Sequence, residues 1–149
     1  MPSNPRVLCV DEDKNCRDVL SAVLSSWRIE AKTVATATQA LSSIQAERFD
    51  LYLLDSRLPD LDGFELCRRM RAVDAHAPIL FFSGAAMEAD KRKGIEAGAD
   101  AYVTKPDVDE LVDSIKRYVF RSKNATAKIL PFEPKKNVSQ AFNLDPAAA

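Results

Sequence analysis

Four short apolar runs in this chain each break off at a residue that carries chemistry. Arg6-Val7-Leu8-Cys9-Val10 stops at Asp11-Glu12-Asp13, and Phe49 to Leu54 stops at Asp55. Pro78 to Phe82 stops at Ser83-Gly84, and Ala101-Tyr102-Val103 leads to Lys105-Pro106. Runs this short and this continuously apolar suit strands buried on both faces, and such strands belong to parallel sheets covered by helices. The intervals supply those helices. Cys16, Val19, Leu20, Val23, Leu24 and Trp27 recur at three- and four-residue steps, as do Leu66, Cys67 and Met70. Thr36 and Gln39 have the capping-box spacing ahead of Ala40, Leu41 and Ile44, so a second helix starts near Ala37, after a second strand over Ala31 to Ala35. Asp107 stands three residues before Glu110 as an N-cap. Behind it, Val108, Leu111, Val112, Ile115, Tyr118 and Val119 form a long stripe. The interval from Ala85 to Ala97 is the thin one. It has only Met87 and Ile95 as large apolar side chains, around Lys91-Arg92-Lys93, and Gly94 and Gly98 are read as its end and turn. Strand and helix thus alternate five times from Arg6 to about Arg121, which predicts an α/β fold: a doubly wound parallel sheet joined by right-handed crossovers.

The remainder of the chain adds little to that frame. Its 149 residues suit one domain. Residues 1–5 are a lead, 6–121 the domain, and 122–149 a proline-punctuated tail or linker without helical or strand period. Twenty-one basic against 22 acidic side chains leave a net charge of -1, without the basic excess of a nucleic-acid or anionic-membrane surface. No apolar stretch is long enough to span a bilayer and the N-terminus has no cleavage signal, so a cytoplasmic location is expected, with neither membrane nor nucleic acid as a direct partner. Cys9, Cys16 and Cys67 are odd in number and lack a C-x-x-C pair, so they are expected to be buried apolar residues rather than bridges or zinc ligands. His76, the single histidine, falls in a polar turn and is not expected to be catalytic.

In open parallel sheets the ligand site lies beyond the carboxyl ends of the strands. The residues waiting there are Asp11 and Glu12 after the first strand, Asp55 after the third, Ser83 after the fourth and Lys105 after the fifth. Crowded carboxylates repel one another and take up protons unless a cation neutralises them. An all-oxygen set suits Mg²⁺ or Mn²⁺ rather than zinc. A hard metal, an ammonium and a hydroxyl together form a socket for phosphoryl oxygens, and a neighbouring carboxylate can serve as nucleophile. The chemistry suggested is acyl-phosphate formation.

The motifs Val10-Asp11-Glu12-Asp13, Leu53-Leu54-Asp55 with Leu58-Pro59-Asp60-Leu61-Asp62-Gly63, Phe82-Ser83-Gly84, and Glu96-Ala97-Gly98-Ala99-Asp100-Ala101-Tyr102-Val103-Thr104-Lys105-Pro106 resemble the receiver domain of two-component response regulators over Arg6 to Arg121. The resemblance implies a flavodoxin-like (βα)5 sheet in strand order 2-1-3-4-5. It implies that Asp55 accepts a phosphoryl group from a sensor histidine kinase or a histidine phosphotransfer protein, with Asp11, Glu12, Asp55 and the backbone carbonyl of Arg57 serving Mg²⁺ (or Mn²⁺). Lys105 pairs with the phosphoryl oxygens, Ser83 swings in to hydrogen-bond one of them, and Tyr102 then turns inward. The fourth and fifth strand and helix faces thereby change toward a downstream protein target or a homodimer formed on phosphorylation. On that reading the protein is a signalling switch and not an enzyme in the ordinary sense. If the chain is whole, it is a stand-alone regulator whose output is through binding.

Three departures from the commonest pattern stand out. Glu12 replaces Asp, Ser83 replaces threonine, and Asp107 follows Lys105-Pro106 where many relatives place phenylalanine. A receiver-like interaction module that is never phosphorylated is the alternative. A dehalogenase-like phosphatase also shares the D-x-D spacing of Asp11 and Asp13, but Asn15 stands where Thr or Val should follow. A flavin-binding protein of the same architecture would need a phosphate loop where this chain has acids.

Overall fold

The computed structural model describes residues 4–123. It contains β1 (Arg6–Val10), α1 (Lys14–Ser26), β2 (Glu30–Val34), α2 (Ala37–Ala46), β3 (Leu51–Leu54), α3 (Gly63–Val73), β4 (Ile79–Ser83), α4 (Glu88–Glu96), β5 (Ala101–Thr104) and α5 (Val108–Lys123). All strand pairs are parallel, in the order β2-β1-β3-β4-β5. The expected fold class and strand order are both present. α5 runs to Lys123, past the boundary expected at Arg121, and the tail beyond it lies outside the described residues.

The apolar runs form the interior as their composition requires: every residue of β3 and β4, and all of β1 except Arg6, is buried. β2 is an edge strand and is only half-buried. Helix starts follow the capping residues. Thr36 Oγ1 accepts from Gln39 N at 3.1 Å, and Asp107 Oδ1 accepts from Glu110 N at 3.0 Å. α3 turns Leu66, Cys67 and Met70 wholly inward, and α5 buries Leu111, Ile115, Tyr118 and Val119. The α1 stripe is wider than its buried face: Leu20 and Leu24 are buried while Val19 and Trp27 stay exposed. The Trp27 ring is covered in part by Lys116 of α5, whose Nζ stands 3.5 Å from the ring centroid.

α4 departs from expectation in how it packs. Met87 and Ile95 are both exposed, and Gly94 is the helix's one buried residue. Gly94 lies inside α4 rather than at its end, because the missing side chain leaves room for the rings of Tyr102 and Phe81. A Cβ there would stand 2.8 Å from Tyr102 Cδ2 and 3.1 Å from Phe81 Cδ2. The turn after α4 belongs to Gly98, whose φ of +116° lies in the left-handed region that favours glycine. The cysteines are free, with Cys9 and Cys67 buried and Cys16 half-buried. Among the described residues no helix is long and apolar enough to cross a membrane.

Candidate phosphoacceptor pocket

The backbone ladder continues one residue beyond three of the strands and so fixes what stands at the sheet's carboxyl edge. Asp11 N donates to Val34 O (3.0 Å), Asp55 N to Val10 O (2.9 Å) and Lys105 N to Ser83 O (2.9 Å). The side chains these bonds position meet over the edge. Lys105 Nζ donates to Asp11 Oδ2 at 2.8 Å and to Asp55 Oδ2 at 3.1 Å, joining residues far apart in sequence. Asp11 is 2 % exposed and Asp55 9 % exposed, so both carboxylates are held largely out of water. Burial alone would lower the pKa of the Lys105 ammonium. The hydrogen bond to Asp11 and the charges of Asp55 and Asp11 outweigh it, and the pKa is raised, so the lysine is a fixed cation.

Asp11 Oδ1 accepts from Asp13 N at 2.9 Å, and Asp13 in turn caps α1 through Asn15 N. Arg17 donates to the carbonyls of Asp11 and Glu12, both at 2.9 Å, tying the loop after β1 to the first turns of α1. Cys16 sits beside this loop. Burial, followed by a hydrogen bond to Asp11 and the Asp11 charge, pushes its thiol up to about 12, so it remains protonated and inert at neutral pH.

The loop after Asp55 is held from beneath and from the side. Gly63 N donates to Ser56 O at 2.9 Å, and a Cβ on Gly63 would stand 2.2 Å from the Asp55 carbonyl oxygen, so glycine is what lets α3 begin this close to Asp55. Asp62 caps α3 through Phe64 N (2.8 Å). Asp60 reaches across to α2, accepting from Ala37 N and Thr38 N (both 2.9 Å) and from Thr38 Oγ1 (2.6 Å). These bonds hold its carboxyl down to about 2.

The structure brings Asp11, Asp55 and Lys105 together and places the buried Ser83 at the neighbouring strand end. It does not bring Glu12 in as a third carboxylate. Its side chain is exposed, and no three His, Cys, Asp or Glu side chains are grouped to hold a metal among the described residues. The local geometry gives the reason: after β1 the chain turns at once into α1 under the Asp13 cap, and alternate residues face opposite ways. Arg57 is exposed, with its N–H aimed at Asp55 Oδ1 at a long 3.4 Å. Tyr102 is already inward. It is 2 % exposed, its ring stacks on Phe81 at 5.4 Å between centroids, and its hydroxyl donates to Ala85 O at 2.6 Å. The space above Gly94 and the face of the Phe81 ring accommodate the Tyr102 ring in this inward position.

Two Asp carboxylates and one ammonium leave this pit a net negative charge, with lone pairs on both carboxylates beyond those the lysine and backbone use. That donor set fits Mg²⁺, which is commonly held by one or two protein carboxylates and keeps several of its waters. Sequence reasoning missed Ser56, which it treated as one residue of a turn. It is 5 % exposed and its Oγ lies 2.6 Å from Ser83 Oγ. Ser56 and Ser83 lie two residues past the last β3–β4 partners, Leu54 and Phe81, so extending the strand alignment was the signal available. Asp60 was likewise quoted only as part of a loop motif, its cap on α2 being invisible without the fold.

The family model described as "Response regulator receiver domain" matches residues 7–116. The DNA-binding response regulator MtrA of Mycobacterium tuberculosis is 34% identical over 126 residues, covering 84% of this chain and 55% of that protein. The chain thus spans about half the length of the curated relatives it matches. A CheY-like receiver domain protein from Methanospirillum hungatei superimposes with a TM-score of 0.77 at 31% identity, over 83% of this chain and 99% of the other. The receiver domain of the Pseudomonas aeruginosa sensor histidine kinase PA1611, solved with a magnesium ion coordinated in its active-site cleft, gives a TM-score of 0.73 at 30% identity, over 79% and 99%.

Proposed function

The chain belongs to the response regulator receiver domain family of two-component signalling, and on that premise we propose that Asp55 accepts a phosphoryl group from a histidine kinase or a histidine phosphotransfer protein. One observation carries the proposal: a single ammonium, Lys105 Nζ, bridges two nearly buried carboxylates that come from different strands. Such an arrangement is costly to keep unless the site uses it, because the carboxylates give up water for only one shared partner.

In the transfer, an Asp55 carboxylate oxygen attacks phosphorus, an O–P bond forms, the P–N bond of the donor imidazole breaks, and the electron pair leaves with the imidazole nitrogen. Lys105 exchanges its bond to Asp55 for the incoming phosphoryl oxygens while its bond to Asp11 keeps it oriented. Asp11, Asp55 and the Arg57 carbonyl would hold Mg²⁺ or Mn²⁺, which when bound would supply charge neutralisation for the transferring oxygens. Magnesium in the cleft of the PA1611 receiver domain supports this assignment. Ser83 hydrogen-bonds one phosphoryl oxygen, and the consequence passes through Ala85 and Tyr102 to α4, the segment least anchored by apolar side chains. The downstream target and a homodimer formed on phosphorylation are assigned to that α4–β5–α5 face. The receiver-like module that is never phosphorylated draws no support from this geometry, in which Lys105 joins Asp55 to Asp11.

Acetyl phosphate with Mg²⁺, followed by intact mass, tests the proposal. A phosphoryl mass gain abolished by Asp55→Asn is expected. No gain in the wild-type chain, or an undiminished gain in Asp55→Asn, overturns it.

A further inference from the structure

Ser56 and Ser83 form a buried hydroxyl pair. They are 5 % and 1 % exposed, and their Oγ atoms are 2.6 Å apart. The pair lies two residues past the last β3–β4 partners, Leu54 and Phe81, at the same offset along the two chains. Ser83 Oγ also accepts from Ala85 N at 3.1 Å, and the Ala85 carbonyl accepts from Tyr102 Oη at 2.6 Å. One chain of hydrogen bonds therefore runs from the residue after the phosphoacceptor to the β4–α4 loop and the Tyr102 ring.

A serine hydroxyl has one proton and two lone pairs. Ala85 N takes one lone pair of Ser83, and Ser56 takes a further site. Either hydroxyl of the pair can be the donor; with Ser83 donating, a phosphoryl oxygen on Asp55 competes with Ser56 for the one Ser83 proton. We propose that Ser56 is a positioning residue that latches Ser83 in the resting arrangement and exchanges its hydrogen bond for a phosphoryl oxygen when Asp55 is modified. The inference rests on the assignment of Asp55 as phosphoacceptor. It adds a second determinant of how readily the site responds: the latch bond is lost as the Ser83 to phosphoryl bond is gained, so Ser56 sets the balance between resting and modified states. Both partners are sealed from solvent, so no water replaces the lost bond cheaply.

The test is a double-mutant cycle on the full chain, read by calorimetric titration with beryllofluoride, a phosphoryl mimic, in saturating Mg²⁺, and with Mg²⁺ alone. Removing one net hydrogen bond from the resting state only, Ser56→Ala is expected to tighten beryllofluoride binding about fivefold and to leave Mg²⁺ affinity unchanged. In the Ser83→Ala background the same substitution is expected to have no effect. Ser56→Thr, which keeps the hydroxyl, is expected to bind as wild type. Ser56→Cys, which fills the space with a weak donor, gives an intermediate tightening and serves if alanine unfolds the chain. Unchanged or weaker beryllofluoride binding in Ser56→Ala, or an equal change with Ser83→Ala present, overturns the latch while the phosphoacceptor assignment stands. Failure of the wild-type chain to bind beryllofluoride with Mg²⁺ overturns that assignment, and the latch with it.

Discussion

Lys105→Met retains most of the side chain's stem and removes the charge that Asp11 and Asp55 share. Oxygens bound to one nitrogen at 2.8 and 3.1 Å lie no more than about 6 Å apart. At the effective dielectric constant of about 20 that suits such sites, the lysine attracts each carboxylate by about 5–6 kcal/mol, much of it offset by keeping the charges out of water, so removing one partner of such a buried group costs about 3–5 kcal/mol. The lysine is only 24 % exposed and its partners less, so solvent screening removes little of this. At pH 7 the variant is expected to lose on the order of 3 kcal/mol, or about 10 °C in Tm for a domain of this size. The penalty is electrostatic, so Mg²⁺ should reduce it, because a divalent ion replaces the missing cation. Thermal melts of wild type and variant at pH 7, each with and without Mg²⁺, measure both effects. A difference in Tm that is indifferent to Mg²⁺ would show that Lys105 acts by packing, and would refute the electrostatic reasoning.

Other substitutions probe the supports around the pocket. Asp60 is held down to about 2 by its cap on α2, so the stabilisation it provides is complete above the ordinary value of 3.8 and is lost as pH falls through about 2. Carboxyl NMR should titrate it there, and Asp60→Ala should speed amide exchange at Ala37 and Thr38. Gly94→Ala improves intrinsic helix propensity by about 1 kcal/mol, yet its Cβ would press on Tyr102 at 2.8 Å. A shifted Tyr102 ring resonance and no gain in Tm are expected. Lys116→Gln removes the cation over Trp27 and should alter the fluorescence of the chain's single tryptophan, at a cost of about 0.5–1 kcal/mol. Cys16, its thiol pushed up to about 12, should react with iodoacetamide at pH 8 far more slowly than a free cysteine.

β1, β3 and β4 were legible because they are buried on both faces and so read as apolar runs, and because each run ends where its functional residue stands. Asp11, Asp55 and Ser83 could be picked out on that basis, and Lys105 likewise after Ala101-Tyr102-Val103. α1 and α5 were legible from their stripes, although α1 leaves Val19 and Trp27 exposed where the stripe implied burial. α4 was legible as a thinly packed helix but not in what it packs by, which is the side chain Gly94 lacks rather than an apolar one, and a missing group leaves no hydrophobic signal. Ser56 and Asp60 escaped notice for a related reason: their roles lie in partners from other elements, Ser83 across a strand pair and the α2 N-terminus across a loop. Glu12, expected beside Asp11 from its place in the sequence, is exposed in the structure.

Borohydride reduction of the acetyl-phosphate-treated chain, followed by peptide sequencing, is the most direct check on the phosphoacceptor, because reduction converts an aspartyl phosphate to homoserine. Homoserine at position 55 and at no other aspartate is the expected result. Homoserine at Asp11 or elsewhere, or none in the presence of Mg²⁺, would contradict the assignment of Asp55.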